Sequence, residues 1–347
     1  MDTEDKLLGP NYYAIALQTS LDTVNGCNSR EDASLVINKT LGRLAKEIQS
    51  CKRFVGPDTR LVVLPEYFLT AYPMGESITG WADKACLDMD GPEYDALGRI
   101  AQDNDIYLSG NAYEKDPNFE GLYFQTSFII DPSGDIILRY RRLNSMFAPT
   151  PHDVWDKYLD IYGMDGVFPV AKTDIGNLAC IASEEILYPE IARSLALRGA
   201  EIFLHSSGEV ACTNDSPKNI ARRARALENM AYVISSNCAA IRGHDMPENS
   251  TGGRSAIIDF QGQVIQESGW GDTMTANASI DLNALRRHRQ RPAMNNYLAR
   301  QRLELFAGTY AQTGSHPANS LLDKNGDHII PDRSHFMDMM KRAVEKI

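Results

Sequence analysis

No run in the 347-residue sequence stays apolar over the ~20 residues that a bilayer span requires, so no membrane-crossing helix is expected. Basic residues are in the minority: 35 Lys and Arg stand against 46 Asp and Glu, for a net charge of −11. Such a chain has no cationic surplus with which to neutralise phosphates, which argues against nucleic acid as a main partner. Its one basic cluster, Arg286-Arg287-His288-Arg289 with Arg291, reads as a solvated or carboxylate-pairing face. Cysteine is scattered: Cys27, Cys51, Cys86, Cys180, Cys212 and Cys238 form no CxxC pair and no Cys/His ligand spacing. They read as reduced thiols, and neither a disulfide framework nor a zinc site is expected. The opening MDTEDKLLGP is acidic and lacks the apolar centre of a signal peptide, so the expectation is a cytoplasmic protein without a membrane partner.

Hydrophobic residues make up 43% of the chain, enough for a sizeable core in one large domain or two smaller ones. Short β-rich runs alternate with helical periodicity. Tyr12–Gln18, Arg60–Leu64, Ile106–Asn111, Leu178–Ala182, Ala200–His205 and Ala231–Ala240 read as strands. Arg30–Cys51 carries Leu35, Ile37, Leu41, Leu44 and Ile48 at helical spacing, and Gly91–Asn104 and Asn219–Met230 read as further helices. Two hairpins interrupt the alternation, one turning at Asp131-Pro132-Ser133-Gly134 and one at Gln261-Gly262. The same order recurs in the second half, which predicts a pseudo-two-fold mixed α/β arrangement of two facing sheets with helices outside. Residues 144–171 read as a long irregular aromatic loop, either a pocket wall or a surface-packed segment.

Three polar residues follow strands directly: Glu66 after RLVVLP, Arg142 after ILRYR, and Ser183 after LACIA. Singly they read as a turn cap, a surface charge and a loop hydroxyl. Together they are a base, a cation and a nucleophile on rigid strand ends, which is what acyl transfer requires. The stretch IGNLACIASEEILYPEIAR sets the last of them at a strand-to-helix corner. Pro189 and Glu190 there suit a helix N-terminus.

These segments resemble the nitrilase superfamily, the carbon–nitrogen hydrolases, over about residues 11–290. LVVLPEYFLTAYP resembles the segment around the family's glutamate base, SGNAYEKD that of its second glutamate, and YFQTSFIIDPSGDIILRYRR the hairpin leading to its lysine. IGNLACIASEEILYPEIAR with RGAEIFLHSS resembles the segment around its cysteine, and RARALENMAYVISSN and GGRSAIIDFQGQVI the remaining core strands. The resemblance implies a four-layer α-β-β-α sandwich assembled into dimers or larger homo-oligomers. It implies a small-molecule amide or related substrate, and neither a metal nor an organic cofactor. Residues 1–10 would be an N-terminal arm, and residues 291–347 a C-terminal extension in contact with a partner subunit.

Carried over residue by residue, the family's Glu, Glu, Lys, Cys set falls on Glu66, Glu114, Arg142 and Ser183. Counting back from Pro189 and forward from Ile175-Gly176 both give Ser183, and Cys180 falls inside the strand. Tyr67 and Tyr72 are pocket candidates beside the base. Glu184 is expected to offer its backbone N–H to an oxyanion. His205, Ser206 and Ser207 either line the pocket or close a loop, and Arg254 either faces the pocket or binds a neighbouring carboxylate. A serine is far less acidic than a thiol and needs a base during attack, and an arginine is planar, bulkier and never neutral. Three readings follow: an amide-processing hydrolase with altered machinery, a non-catalytic binding or assembly protein on the same fold, or a Cys-to-Ser variant of an active amidase or nitrilase.

Overall fold

In the computed structural model, residues 9–210 and 216–346 are described. Most of the expected N-terminal arm, and Cys212, lie outside the described residues. The first half runs β1 (Asn11–Ala16), α1 (Arg30–Val55), β2 (Thr59–Val63), α2 (Ile78–Ala85), α3 (Pro92–Asp103), β3 (Tyr107–Lys115), β4 (Tyr123–Ile130) and β5 (Ile136–Arg141). The second half runs α4 (Trp155–Val167), β6 (Ala171–Thr173), β7 (Gly176–Ala182), α5 (Pro189–Leu197), β8 (Ile202–Ser207) and α6 (Pro217–Asn229). It continues through β9 (Tyr232–Asn237), β10 (Ala256–Ile258), β11 (Val264–Glu267), β12 (Asn277–Asp281) and α7 (Leu282–Gln290).

The two halves build the same sheet twice. In the first, β1, β2 and β3 are parallel and the antiparallel hairpin β4-β5 extends the edge. In the second, β7, β8 and β9 are parallel and the hairpin β10-β11 extends the edge. β12 crosses back to pair antiparallel with β1, and β6 pairs antiparallel with β7. The predicted pseudo-repeat is therefore present, and the fold is a mixed α/β sandwich with helices outside two sheets.

Pleat alternation explains the layers, because successive side chains on a strand point to opposite faces. Ala14, Ala16, Leu61 and Val63 pack with Leu178, Cys180, Ile202 and Leu204 of the facing sheet. Ile15, Val62 and Leu64 instead pack with Ile37, Leu41, Leu44 and Ile48 of α1. Leu35, expected on that stripe, faces solvent. Ser29 caps α1 by accepting from the Asp32 N–H, Glu31 and Asp32 follow in the first turn, and Lys52 and Arg53 close the last.

Two buried hydroxyls tie the sheets together: Ser206 Oγ donates to Leu64 O at 2.8 Å, and Ser236 Oγ donates to Leu17 O at 2.6 Å. The first bond anchors the chain just before Glu66. α3 lies against the β4-β5 turn so closely that a Cβ on Gly98 would meet Gly134 O at 2.7 Å.

Residues 144–171 differ from the expectation of a long irregular loop. A 3-10 turn at Pro151–Val154 leads into α4, which is interrupted at Gly163 by a φ of 59°. Tyr158 turns inward against Phe119 and Phe124. The helix forms because this aromatic stripe has a core to pack on, and tertiary packing overrides the weak local propensity of the segment.

Candidate active site

β7 ends in a sharp corner. Ser183 has φ of 50°, the left-handed region that costs an L-residue about 1–2 kcal/mol, and it begins a 3-10 turn, Ser183–Leu187. α5 follows with Pro189 in its first turn and Glu190 beside it, as expected from the sequence. The corner is held from behind by His205 on β8. Ser183 O can only accept, so the His205 Nε2–H donates to it at 2.8 Å, and Nδ1 accepts from Ser235 Oγ at 2.7 Å. Burial lowers the imidazole pKa to about 3, so the ring is neutral and fixed in that tautomer.

A chain of charged and polar groups crosses the floor of the site. Glu66, fully buried, accepts from Gly208 N–H at 2.9 Å on one oxygen and from Gln125 Nε2 at 2.5 Å on the other. Gln125 Oε1 accepts from Arg142 Nη1 at 2.8 Å, and that nitrogen lies 3.6 Å from Glu66. Arg142 also donates from Nε to Asn144 O at 2.7 Å, and its Nη2 pairs with Glu184. Burial opposes the charge of Arg142, but Glu66 and Glu184 outweigh it and raise its pKa, so it is a fixed cation.

Glu185 links the two strand ends. Its buried carboxylate accepts from Leu143 N–H and Asn144 N–H, each at 2.8 Å, and from Tyr140 Oη–H at 2.6 Å. Burial pushes its pKa up to about 7, although Arg142 and these donors pull it down. The corner carrying Ser183 and the segment carrying Arg142 are thereby clamped to each other.

A cavity of about 800 Å³ opens over this floor. Tyr67, Gln125, Arg142, Ser183 and Glu184 line its base. Tyr72, Tyr113, Tyr123, Ile78, Met146 and Phe147 form apolar walls. Ile330, Pro331, Arg333 and Phe336, from the C-terminal extension, complete them. Part of that extension therefore returns to its own chain, with the Arg333 guanidinium 4.4 Å from the Phe147 ring centre. Burial, and then the neighbouring Glu66 charge, raise the Tyr67 phenol pKa, so Tyr67 stays protonated.

The structure thus brings Glu66, Arg142, Ser183, Tyr67, Tyr72 and Glu184 together. Glu114 is elsewhere: it accepts from Tyr94 Oη–H at 2.7 Å and Arg139 Nε at 2.9 Å, while Arg141 pairs with Asp116 at 2.7 Å. Glu114 lies next to Tyr113, a cavity residue, and the pleat turns it to the other face. His205 and Ser206 hold the fold behind the site, and Arg254 pairs with Glu267 away from the cavity. Cys180 is fully buried on β7 with a thiol pKa pushed up to about 12, so it is inert packing. The reading from sequence passed over Gln125, Glu185 and Lys218. Gln125, a polar residue inside the apolar run YFQTSFII, carried a visible signal, whereas Lys218 carried none.

Among the described residues, no group of three or more His, Cys, Asp or Glu is arranged to hold a metal ion, and no helix is long and apolar enough to cross a membrane. The Carbon-nitrogen hydrolase family pattern matches residues 26–290. Formamidases of Bacillus cereus (strain AH820) and Bacillus anthracis are each 28% identical over 208 residues, which is 60% of this chain and 58% of theirs. The chain therefore matches less than two thirds of the length of these relatives.

Saccharomyces cerevisiae Nit3, a member of branch 10 of the nitrilase superfamily, superimposes with a TM-score of 0.65 at 21% identity, covering 83% of this chain and 96% of that one. An amidase of the nitrilase superfamily from Nesterenkonia AN1 gives 0.60 at 18% identity, covering 87% and 98%. With the family pattern spanning three quarters of its length, this chain belongs to the carbon-nitrogen hydrolase family.

Proposed function

We propose that the protein hydrolyses the carbon–nitrogen bond of an amide, with Ser183 as the nucleophile. The observation that carries this reading is the Ser183 corner: a buried hydroxyl on a left-handed turn, at the base of an 800 Å³ cavity and beside a fixed guanidinium. Strained backbone of this kind clusters at functional sites. Arg142 has five N–H donors and three bonded partners here, so it retains N–H groups for a carbonyl oxygen or oxyanion. The Glu184 backbone N–H, in the first turn after the corner, is the second donor in this scheme. Glu66 and Gln125 hold Arg142 in place. Glu114 acts from the far face of the sheet by fixing Arg139, and its role is structural.

The formamidase relatives share the reaction class, but a one-carbon amide leaves most of this cavity empty. Its tyrosine, Met146, Phe147 and Phe336 walls suit an amide with an extended aliphatic or aromatic body. Homo-oligomer formation is part of the proposal too. The segment Glu304–Gln312 exposes Leu305, Phe306 and Tyr310, and light scattering in solution tests whether it joins two copies.

A panel from formamide to hexanamide and phenylacetamide, with ammonia release measured, tests the reading. Turnover is expected for the longer amides and is lost in Ser183→Ala. One observation favours a binding protein instead: Arg142 is already paired with Glu66 and Glu184. That alternative gains if the longer amides bind without turnover and Ser183→Cys with Arg142→Lys creates activity. Absence of both binding and turnover in every variant overturns the hydrolase assignment.

A further inference from the structure

Serine needs a base at the moment of attack, and the base named from sequence, Glu66, is otherwise engaged. One of its oxygens takes the Gln125 amide and faces Arg142, and the other takes the Gly208 N–H. Among the described residues, the side chain within hydrogen-bond reach of Ser183 Oγ is on another element. α6 begins with Ser216 as its cap, accepting from Asn219 N–H, followed by Pro217 and Lys218. This first turn packs over the corner, and Lys218 Nζ lies 3.2 Å from Ser183 Oγ and 3.3 Å from Ser207 Oγ. Ser207, at the end of β8, gives Nζ a second contact that fixes its direction toward Oγ. An amine, with an ordinary pKa near ~10.4, is a far stronger base toward an alcohol than a carboxylate near ~4.3.

We propose that Lys218 is the general base of this site, forming a Ser183–Lys218 pair that serves a serine nucleophile. The inference rests on the hydrolase reading above. The step starts from unprotonated Nζ. It takes the Oγ proton as an Oγ lone pair bonds to the carbonyl carbon and the C=O π pair moves onto oxygen beside Arg142. The intermediate collapses, the C–N bond breaks, and the leaving nitrogen takes the proton from Nζ. Water then attacks the Ser183 ester and gives its proton to Nζ. The ester C–Oγ bond breaks and Oγ recovers that proton, so amide and water become acid and amine with Lys218 restored. Among the described residues, His205 on β8 and Cys238 after β9 both sense the Lys218 charge.

The test uses the full chain with p-nitrophenyl hexanoate and hexanamide. Intact mass and peptide mapping follow acylation of Ser183, and product release follows turnover. Lys218→Met keeps most of the side-chain stem, Lys218→Arg keeps the charge but cannot act as a base, and thermal melting checks that both fold. Both variants are expected to acylate about 10²–10⁴-fold more slowly than the native chain. Lys218→Ala is expected to recover rate with added methylamine, a rescue that a purely structural role does not produce. Near-native acylation by Lys218→Arg makes Lys218 only a cation, and near-native acylation by Lys218→Met removes it from the mechanism. Either result overturns the pair while leaving the hydrolase reading intact. A native chain inert to both substrates overturns the hydrolase reading and the pair with it.

Discussion

Replacing Glu185 by glutamine tests how the two strand ends are clamped. The carboxylate is fully buried and accepts from two backbone N–H groups and the Tyr140 hydroxyl. Burial nevertheless holds its pKa at about 7, against ~4.3 for a glutamate in an unfolded chain. Between these values the folded protein carries a proton that the unfolded chain lacks. The stability this group contributes is therefore fully present below pH ~4.3, falls as pH rises, and levels off above about 7. The difference amounts to about 3–4 kcal/mol. Glutamine keeps a carbonyl oxygen for the Leu143 and Asn144 N–H groups and has no proton to titrate. Urea unfolding at intervals from pH ~4.5 to ~7.5 measures the effect. The native protein should lose about 3–4 kcal/mol relative to Glu185→Gln over that range. Comparing the two cancels the titration of every other group. Parallel profiles for the two proteins refute the reasoning.

Gly98→Ala forces a methyl to within 2.7 Å of Gly134 O and should destabilise by about 1–3 kcal/mol in urea melts; an unchanged midpoint contradicts the close approach. Gln125→Leu removes the bridge between Glu66 and Arg142 and leaves both buried with fewer partners, for an expected loss of about 1–3 kcal/mol, readable by the same method. His205, with its pKa lowered to about 3, should stay neutral in an NMR titration down to pH ~4.5, and an imidazolium signal near its ordinary ~6.5 argues against the burial. Phe336→Ala removes one apolar wall and should raise KM for hexanamide several-fold while leaving that for formamide unchanged; equal effects on both deny that this wall contacts the longer substrate.

Much of the fold was legible because its signals are local. RLVVL and LACIA are apolar runs too short for a helix and fit a buried strand, and Asp131–Gly134 has the residues of a tight turn. The strand ends therefore fell where Glu66, Arg142 and Ser183 could be singled out. Residues 144–171 were less legible, since α4 has an aromatic stripe broken by Gly163 and becomes helical through packing on Phe119 and Phe124. Glu114 shows a different limit. The strand expected over Ile106–Asn111 runs on to Lys115 and takes in Glu114, and because side chains alternate by residue, its neighbour Tyr113 faces the cavity instead.

By itself the sequence determined the order of strands and helices, the repeat of that order, and the strand-to-helix corner at Ser183, because periodicity, turn chemistry and proline act over a few residues. Only the tertiary structure decided which groups meet there. Arg142 faces Glu66 and Glu184 rather than Glu114, residues 330–336 return to wall the cavity, and Lys218 reaches Ser183 Oγ from the first turn of another helix. Those pairings join residues far apart in the chain, and they follow from sheet stacking and pleat parity.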